Sequence, residues 1–231
     1  ANLNNKNKIF LTVYVLFCFI SLIHKINTHN HDDEDYWTQD DINQVIDKSI
    51  ITYGSALRLE NQLTHFYLYS NKLTWGSGSQ LQIITGIRDK DDPQALWVIK
   101  ERHEDTKMKS TGEAVLCNDI IRLEHSSTGK NLHSHLHKAW ITEGQEACGF
   151  GTDGVGDVND NFKIICYNHK GEKVLGSTNF FLQHVATSKF LHIDIKKSLY
   201  NESNCKGCPI LYQREVSLVS SKDKQCLWTV S

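Results

Sequence analysis

The chain is poor in the patterns that announce chemistry. No G-x-S-x-G elbow, H-E-x-x-H helix or phosphate-cradling glycine loop occurs, which removes the usual signs of an activated serine, a helical zinc site or a bound nucleotide. The GSGS run at residues 76–79 lies between extended stretches and opens no helix, so it aims no helix dipole at phosphate. Its glycines read as turn residues taking positive φ. A basic stripe with interleaved aromatics is missing and the formal net charge is only −2, so nucleic acid is not an expected partner. After Lys48 there is no sustained 3.6-residue apolar period and few capping boxes, which argues against a helical body. The acidic loop at 153–161, DGVGDVNDN, fails as an EF-hand: counted from Asp157, Phe162 stands where glycine is required and Asn168 where a bidentate glutamate is required. It reads as a solvated surface loop. No catalytic residue, cofactor or metal is expected.

Long apolar runs are scarce as well. The longest, residues 9–23, holds 15 residues, short of the roughly 20 that a bilayer span needs. With Lys6 and Lys8 before it and a polar exit after it, the segment 1–28 reads as a cleaved secretory signal, leaving no stable membrane span. Residues 29–48, containing HDDED, read as a solvated acidic segment without structure. The remaining 49–231 suffices for one domain, and 39% hydrophobic residues overall suffice for its core.

What the chain does contain is a stretch repeated three times. In NLHSHLHKAWITEGQEACGFG, residues 131–151, Leu132, Ser134 and Leu136 alternate with His133, His135 and His137, the period of a half-buried strand. A turn at Glu143-Gly144-Gln145 leads into a second strand through Ala147 and Phe150. Leu68, Leu132 and Leu191 each lie nine residues after Leu59, Leu123 and Leu182. Trp97, Phe162 and Trp228 close the three copies within short apolar strands, 65 and 66 residues apart. A single four-strand unit cannot hide its apolar face, whereas three around a pseudo-threefold axis close a barrel with no free edge. An all-β trefoil is therefore expected, with repeats at about 49–104, 112–168 and 173–231.

Cys18 leaves with the signal, and six cysteines remain. An even number in an oxidising compartment favours disulfides. Cys117 opens the first strand of the middle repeat and Cys166 ends its last, which should be neighbours in a closed unit, so they are expected to pair. The partners of Cys148, Cys205, Cys208 and Cys226 stay open. The Cys205-Lys-Gly-Cys208 pair has no helix or βαβ context for a redox motif and no second pair for zinc, leaving a tight loop disulfide or two bonds elsewhere. It sits in an insertion with Asn201-Glu202-Ser203, an N-glycosylation triplet that makes Asn201 a candidate.

The strings LHSH, GSGSQ, GQEACGFG and YQREV, each near a closing aromatic strand, resemble the MIR domain family. From about residue 50 to 230 the chain is similar to the stromal cell-derived factor 2 family, small lumenal proteins with a signal peptide and three MIR repeats. It departs in the first repeat, where Tyr53 replaces a cysteine and Tyr69 and Asn71 replace two histidines. The resemblance implies a β-trefoil in the endoplasmic reticulum lumen, acting with a J-domain co-chaperone and a BiP-type chaperone on unfolded or glycosylated clients. The sequence ends LWTVS without a KDEL-type signal, so retention would come from a retained partner. Related MIR domains of O-mannosyltransferases make glycan binding the alternative. No Gln-x-Trp triplet or repeated aspartate occupies equivalent places in all three copies, which ranks protein partners first.

Trp97 and Trp228 are expected in the core, whereas Trp75 and Trp140 follow the LYSN and LHSH strands as candidate contact aromatics. His133 and His135 share a face and offer hydrogen bonds across the hairpin cap or to a ligand. No carboxylate or cysteine lies in their strand, so metal is not expected there. Gln145, Gln213 and Arg214, from the GQEACGFG and QREV strings, complete the candidate binding residues.

Overall fold

The computed structural model describes residues 49–104, 109–169 and 172–231, together with Thr38, Asp40 and Val45. The expected signal segment 1–28 and nearly all of the expected acidic segment 29–48 lie outside the described residues. Among the described residues no helix is long and apolar enough to cross a membrane.

Among the described residues, fourteen strands form one sheet. The first repeat supplies β1 (Ala56–Leu57), β2 (Leu59–Asn61), β3 (Phe66–Thr74), β4 (Gln82–Ile87) and β5 (Trp97–Glu101). The second supplies β6 (Ile120–His125), β7 (Asn131–Lys138), β8 (Gln145–Phe150) and β9 (Phe162–Cys166). The third supplies β10 (Phe180–His184), β11 (Phe190–His192), β12 (Arg214–Glu215), β13 (Ser217–Val219) and β14 (Leu227–Val230). β1 and β2 act as one strand interrupted at Arg58. It pairs with β5, β5 with β6, β6 with β9, β9 with β10, β10 with β14, and β14 returns to β2. That circuit is a closed six-stranded antiparallel barrel. The hairpins β3–β4, β7–β8 and β11–β13 stand on it and pair with one another through β4–β8, β8–β13 and β12–β4. This is a β-trefoil.

The core follows the spacing of the repeats. Leu59, Leu123 and Leu182 are buried and line one small cavity inside the barrel with Ile99, Ile164 and Val230. Truncating one of these leucines to alanine removes apolar area and leaves a void, at a cost of about 2–5 kcal/mol. Trp97, Phe162 and Trp228 are fully buried. The two indoles donate Nε1–H to the carbonyls of Leu68 and Leu191, at 2.9 and 3.0 Å, which satisfies their polar atom inside the core.

Opposite the hairpins, the segments leading into the first strands lock together. Ile51 N–H donates to Val174 O, Val174 N–H to Val115 O, and Val115 N–H to Ile51 O, each at 2.9 Å. A disulfide joins Cys117 to Cys166, with Cα atoms 5.5 Å apart.

A second threefold set staples neighbouring repeats. Each closing strand is preceded by a single-turn 3-10 helix, Pro93–Ala95, Val158–Asp160 or Lys224–Cys226, whose cap aspartate accepts from the backbone two residues on. The carbonyls of Gln94, Asn159 and Gln225 in these turns are held by His125 Nε2, His184 Nε2 and Asn61 Nδ2, at 2.9, 2.9 and 2.8 Å. Thr128, Thr187 and Thr64 complete the three sites through His125 Nδ1, His184 Nδ1 and Asn61 Oδ1. A carbonyl on one ring nitrogen and a threonine hydroxyl on the other suit a neutral imidazole, donor at Nε2 and acceptor at Nδ1.

Burial lowers the pKa of both His125 and His184. The unfolded chain therefore binds protons first as pH falls below about 6.5, so these groups stabilise the fold above that value and lose their contribution towards the lower folded pKa. His135 and His192 shift the same way for the same first reason. The melting temperature should fall between about pH 7.5 and about pH 5.5. In the double variant His125→Asn/His184→Asn, which copies the Asn61 staple, differential scanning calorimetry should show a visibly flatter dependence; an unchanged slope would assign it to other groups.

Candidate functional site

The middle hairpin carries the densest set of polar side chains. Its register pairs Asn131 with Phe150, Leu132 with Gly149, His133 with Cys148 and Ser134 with Ala147, then shifts before Lys138 meets Gln145. Leu132 and Ser134 face inward as the alternation predicts, but beyond the shift β7 leaves the body. Leu136, expected on the apolar face, is 86% exposed, because no neighbouring element reaches the hairpin tip to cover it.

His133 is buried, and its Nδ1 lies 2.7 Å from Asp160 Oδ1. Asp160 is itself fully buried. Its Oδ2 accepts from His103 Nε2 at 2.9 Å, from Asp157 N–H at 2.8 Å and from Asn131 Nδ2 at 3.2 Å. The 153–161 loop is therefore only partly the solvated surface expected of it: its aspartates cap a 3-10 turn and send one carboxylate under the hairpin. The structure also supplies what β7 lacks along its own length. Cys148 comes to His133 and His135 from β8, and Asp157 and Asp160 come to His133 from the loop. His135 is half-buried, and desolvation, followed by the nearby His133 and His137, lowers its pKa. Burial raises the Cys148 thiol pKa well above its usual range.

The two frame glutamates went unnoticed in the sequence. Glu146 on β8 accepts from the Ser79 hydroxyl and backbone N–H in the first repeat's hairpin loop. Glu215 on β12 accepts from Ile141 N–H at 2.6 Å and from Thr142 N–H and Oγ1–H at 2.9 and 2.6 Å in the second repeat's loop. Each carboxylate thus fastens the preceding hairpin's loop. Desolvation raises the Glu146 pKa. Gly78 explains its own place in GSGS: its φ is +68°, and a Cβ there would collide with the Glu146 carboxylate. The recurrence of Gln-Glu and Arg-Glu at 145–146 and 214–215 is the signal that could have marked both glutamates.

The candidate binding residues separate into two groups. Trp140 is 63% exposed on the loop that Glu215 holds. Trp75 is half-buried, donates Nε1–H to Ala147 O at 3.2 Å and packs on Tyr200 of the third-repeat insertion. Gln145 is buried and donates its amide to Ser134 and Thr187 at 2.8 and 3.2 Å, so it is committed to the hairpin base. Gln213 Oε1 accepts from Thr85 at 2.6 Å. Arg214 spans Asp194 O, Ile195 O and the Ser198 hydroxyl with Nη1 and lies over Phe66, 5.0 Å from its centroid. These three polar side chains organise the cap instead of facing an open cleft.

In the insertion, Cys205 and Cys208 form a disulfide with each other, and the loop packs on Ile83, Tyr200 and Ile210. Asn201 is half-buried, with Oδ1 accepting from Ser203 N–H and hydroxyl at 2.9 and 2.5 Å. Cys148 and Cys226 are unpaired and buried; desolvation pushes the Cys226 thiol up to about 11.

A trefoil of three hairpins pinned through LHSH and QREV strands defines a class, and the chain belongs to it: it is a member of the MIR domain family, whose model matches residues 76–229. Within that class its relatives are stromal cell-derived factor 2-like proteins. It is 36% identical to the one from Dictyostelium discoideum over 181 residues, 77% of this chain and 80% of the relative. The crystal structure of the SDF2-like protein from Arabidopsis thaliana matches with a TM-score of 0.70 at 34% identity, covering 79% of this chain and 95% of that one. The protein O-mannosyltransferase Pmt1-Pmt2 complex of S. cerevisiae, bound to the sugar donor, shares the fold at a TM-score of 0.65 and 23% identity, over 80% of this chain and 26% of that one.

Removing the Glu215 carboxylate takes an acceptor from two backbone donors and from the hydroxyls of Thr142 and Tyr200. Glu215→Ala should destabilise the protein by about 1–3 kcal/mol. Hydrogen exchange at the Ile141 and Thr142 amides should quicken well before global unfolding; protection equal to the wild type would show that the loop does not depend on this carboxylate.

Proposed function

We propose that the protein is a non-catalytic, partner-binding trefoil of the secretory pathway, working in the endoplasmic reticulum lumen with a J-domain co-chaperone and a BiP-type chaperone to keep unfolded clients soluble. The observation that carries this reading is the exposed apolar tip of the middle hairpin, where Leu136 is 86% and Trp140 63% accessible on a loop fastened by Glu215. A rigid frame presenting a large aromatic and a leucine to solvent is suited to protein contacts, in which few side chains carry most of the affinity. Membership of the MIR family supports it, and two disulfides suit an oxidising lumen. Among the described residues, the thiol beside a histidine, Cys148, has its pKa raised by burial, the opposite of what activates a cysteine nucleophile.

Glycan binding is the second reading, favoured by one feature: Trp140 and Trp75 border a small pocket with Lys138, Glu146 and Glu215. The two indoles lie in different repeats yet line one and the same pocket, so the feature is single where a symmetric trefoil lectin would show three.

Leu136→Ser/Trp140→Ala should weaken binding to a purified J-domain co-chaperone and BiP-type chaperone about tenfold or more. Lys173→Ala, at the opposite end of the barrel, should leave it unchanged. Equal binding by both variants would remove the hairpin from the interface, and absence of binding by the wild type would overturn the reading. Selective capture of one sugar on a glycan array, abolished by Trp140→Ala, would put the second reading first.

A further inference from the structure

The geometry points to a binding site for a borderline-soft divalent cation of the zinc class on the middle hairpin, with His133, His135 and Cys148 as its protein ligands. One donor atom from each of the three lies within 4.8 Å of the others. His135 Nε2 is 4.0 Å from Cys148 Sγ and 3.8 Å from Glu146 Oε1. In a tetrahedral zinc site a nitrogen and a sulfur ligand stand about 3.6 Å apart, so the His135–Cys148 pair must close by a few tenths of an ångström, and a donor pair at the 4.8 Å limit of the set by about 1 Å.

The surroundings match what a metal site requires beyond its ligands. His133 already gives Nδ1–H to Asp160, which fixes its tautomer and leaves Nε2 for a metal, the carboxylate–histidine–metal arrangement that orients a ligand and raises its basicity. Asp160 is held in turn by His103, Asn131 and Asp157 N–H. Glu146 is oriented by Ser79. Charge is accounted for simply: both imidazoles bind neutral, and the Cys148 S–H bond is broken with its proton released to solvent. Binding should therefore strengthen with pH.

Symmetry separates this set from the needs of the fold. His133 and Cys148 are a cross-strand pair, and the corresponding pairs in the other repeats are Tyr69 with Thr85 and His192 with Ser217. The trefoil accepts an aromatic and a hydroxyl residue at this register, so the scaffold does not demand a thiol. Only the middle repeat combines the thiol with a second histidine, His135, two residues along the same face.

The test is a Co2+ titration of the purified protein with its disulfides intact, followed by competition with Zn2+. One equivalent of Co2+ should produce the thiolate charge-transfer absorption of a cobalt–sulfur bond, and Zn2+ should abolish it. Cys148→Ser should lose that band while Cys226→Ser keeps it. His135→Gln, at a half-exposed position, should weaken Co2+ affinity about tenfold or more and lose the zinc-dependent rise in melting temperature. A missing thiolate band in the wild type overturns the site, as does one that survives Cys148→Ser. If Cys148→Ser does not fold, wild-type affinity in a folded His135→Gln protein has the same consequence.

Discussion

Closure is the constraint on which everything else in this molecule depends. No repeat completes its own barrel wall: the first strand of each pairs with the fourth strand of the repeat before it, and three backbone hydrogen bonds among Ile51, Val115 and Val174 join the repeats at the floor. An isolated repeat would leave a strand edge and one side of its leucines in water, a state that neither strand pairing nor burial can repair. Cooperativity follows. The staples at Asn61, His125 and His184 each cross a repeat boundary, so the polar network reinforces the joints where the hydrophobic core is shared.

The cap uses the same threefold plan and then departs from it. Glu146 and Glu215 occupy related positions and fasten the preceding hairpin loop. In the first repeat the corresponding side chain is Ile83, which packs against the disulfide-bearing insertion of the third repeat. Two joints of the cap are thus polar and one is apolar. The exposed Trp140, the His133–Cys148 pair and the Cys205–Cys208 loop all lie where the repeats differ. In a scaffold whose stability is supplied by what the copies share, the unshared positions are free to carry binding.

Those two kinds of position were not equally legible in the sequence. The barrel could be read because its signals are local: the nine-residue step from Leu59, Leu123 and Leu182, the closing Trp97, Phe162 and Trp228, and the placing of Cys117 and Cys166 at the ends of neighbouring strands. The site could not, because its partners meet only after folding. Asp160 lies 27 residues from His133 inside a segment whose composition suggests a solvated loop, and Cys148 reaches His133 across a hairpin whose register depends on the shift after Ser134. That same shift leaves Leu136 in solvent against the alternation of its strand. Gln145 and Arg214 carry the polarity of binding residues, yet they are taken up by buried hydroxyls and backbone carbonyls.

The last strand of the wall, β14, is hydrogen-bonded to both β10 and β2. On a chain synthesised from its N-terminus, the first two repeats can form their hairpins and still present open flanks, with Leu59 and Leu123 awaiting their third companion, until residues 227–230 are made. The molecule therefore passes through a sticky adolescence of nearly its whole synthesis, with unpaired strand edges exposed until the last strand closes the wall.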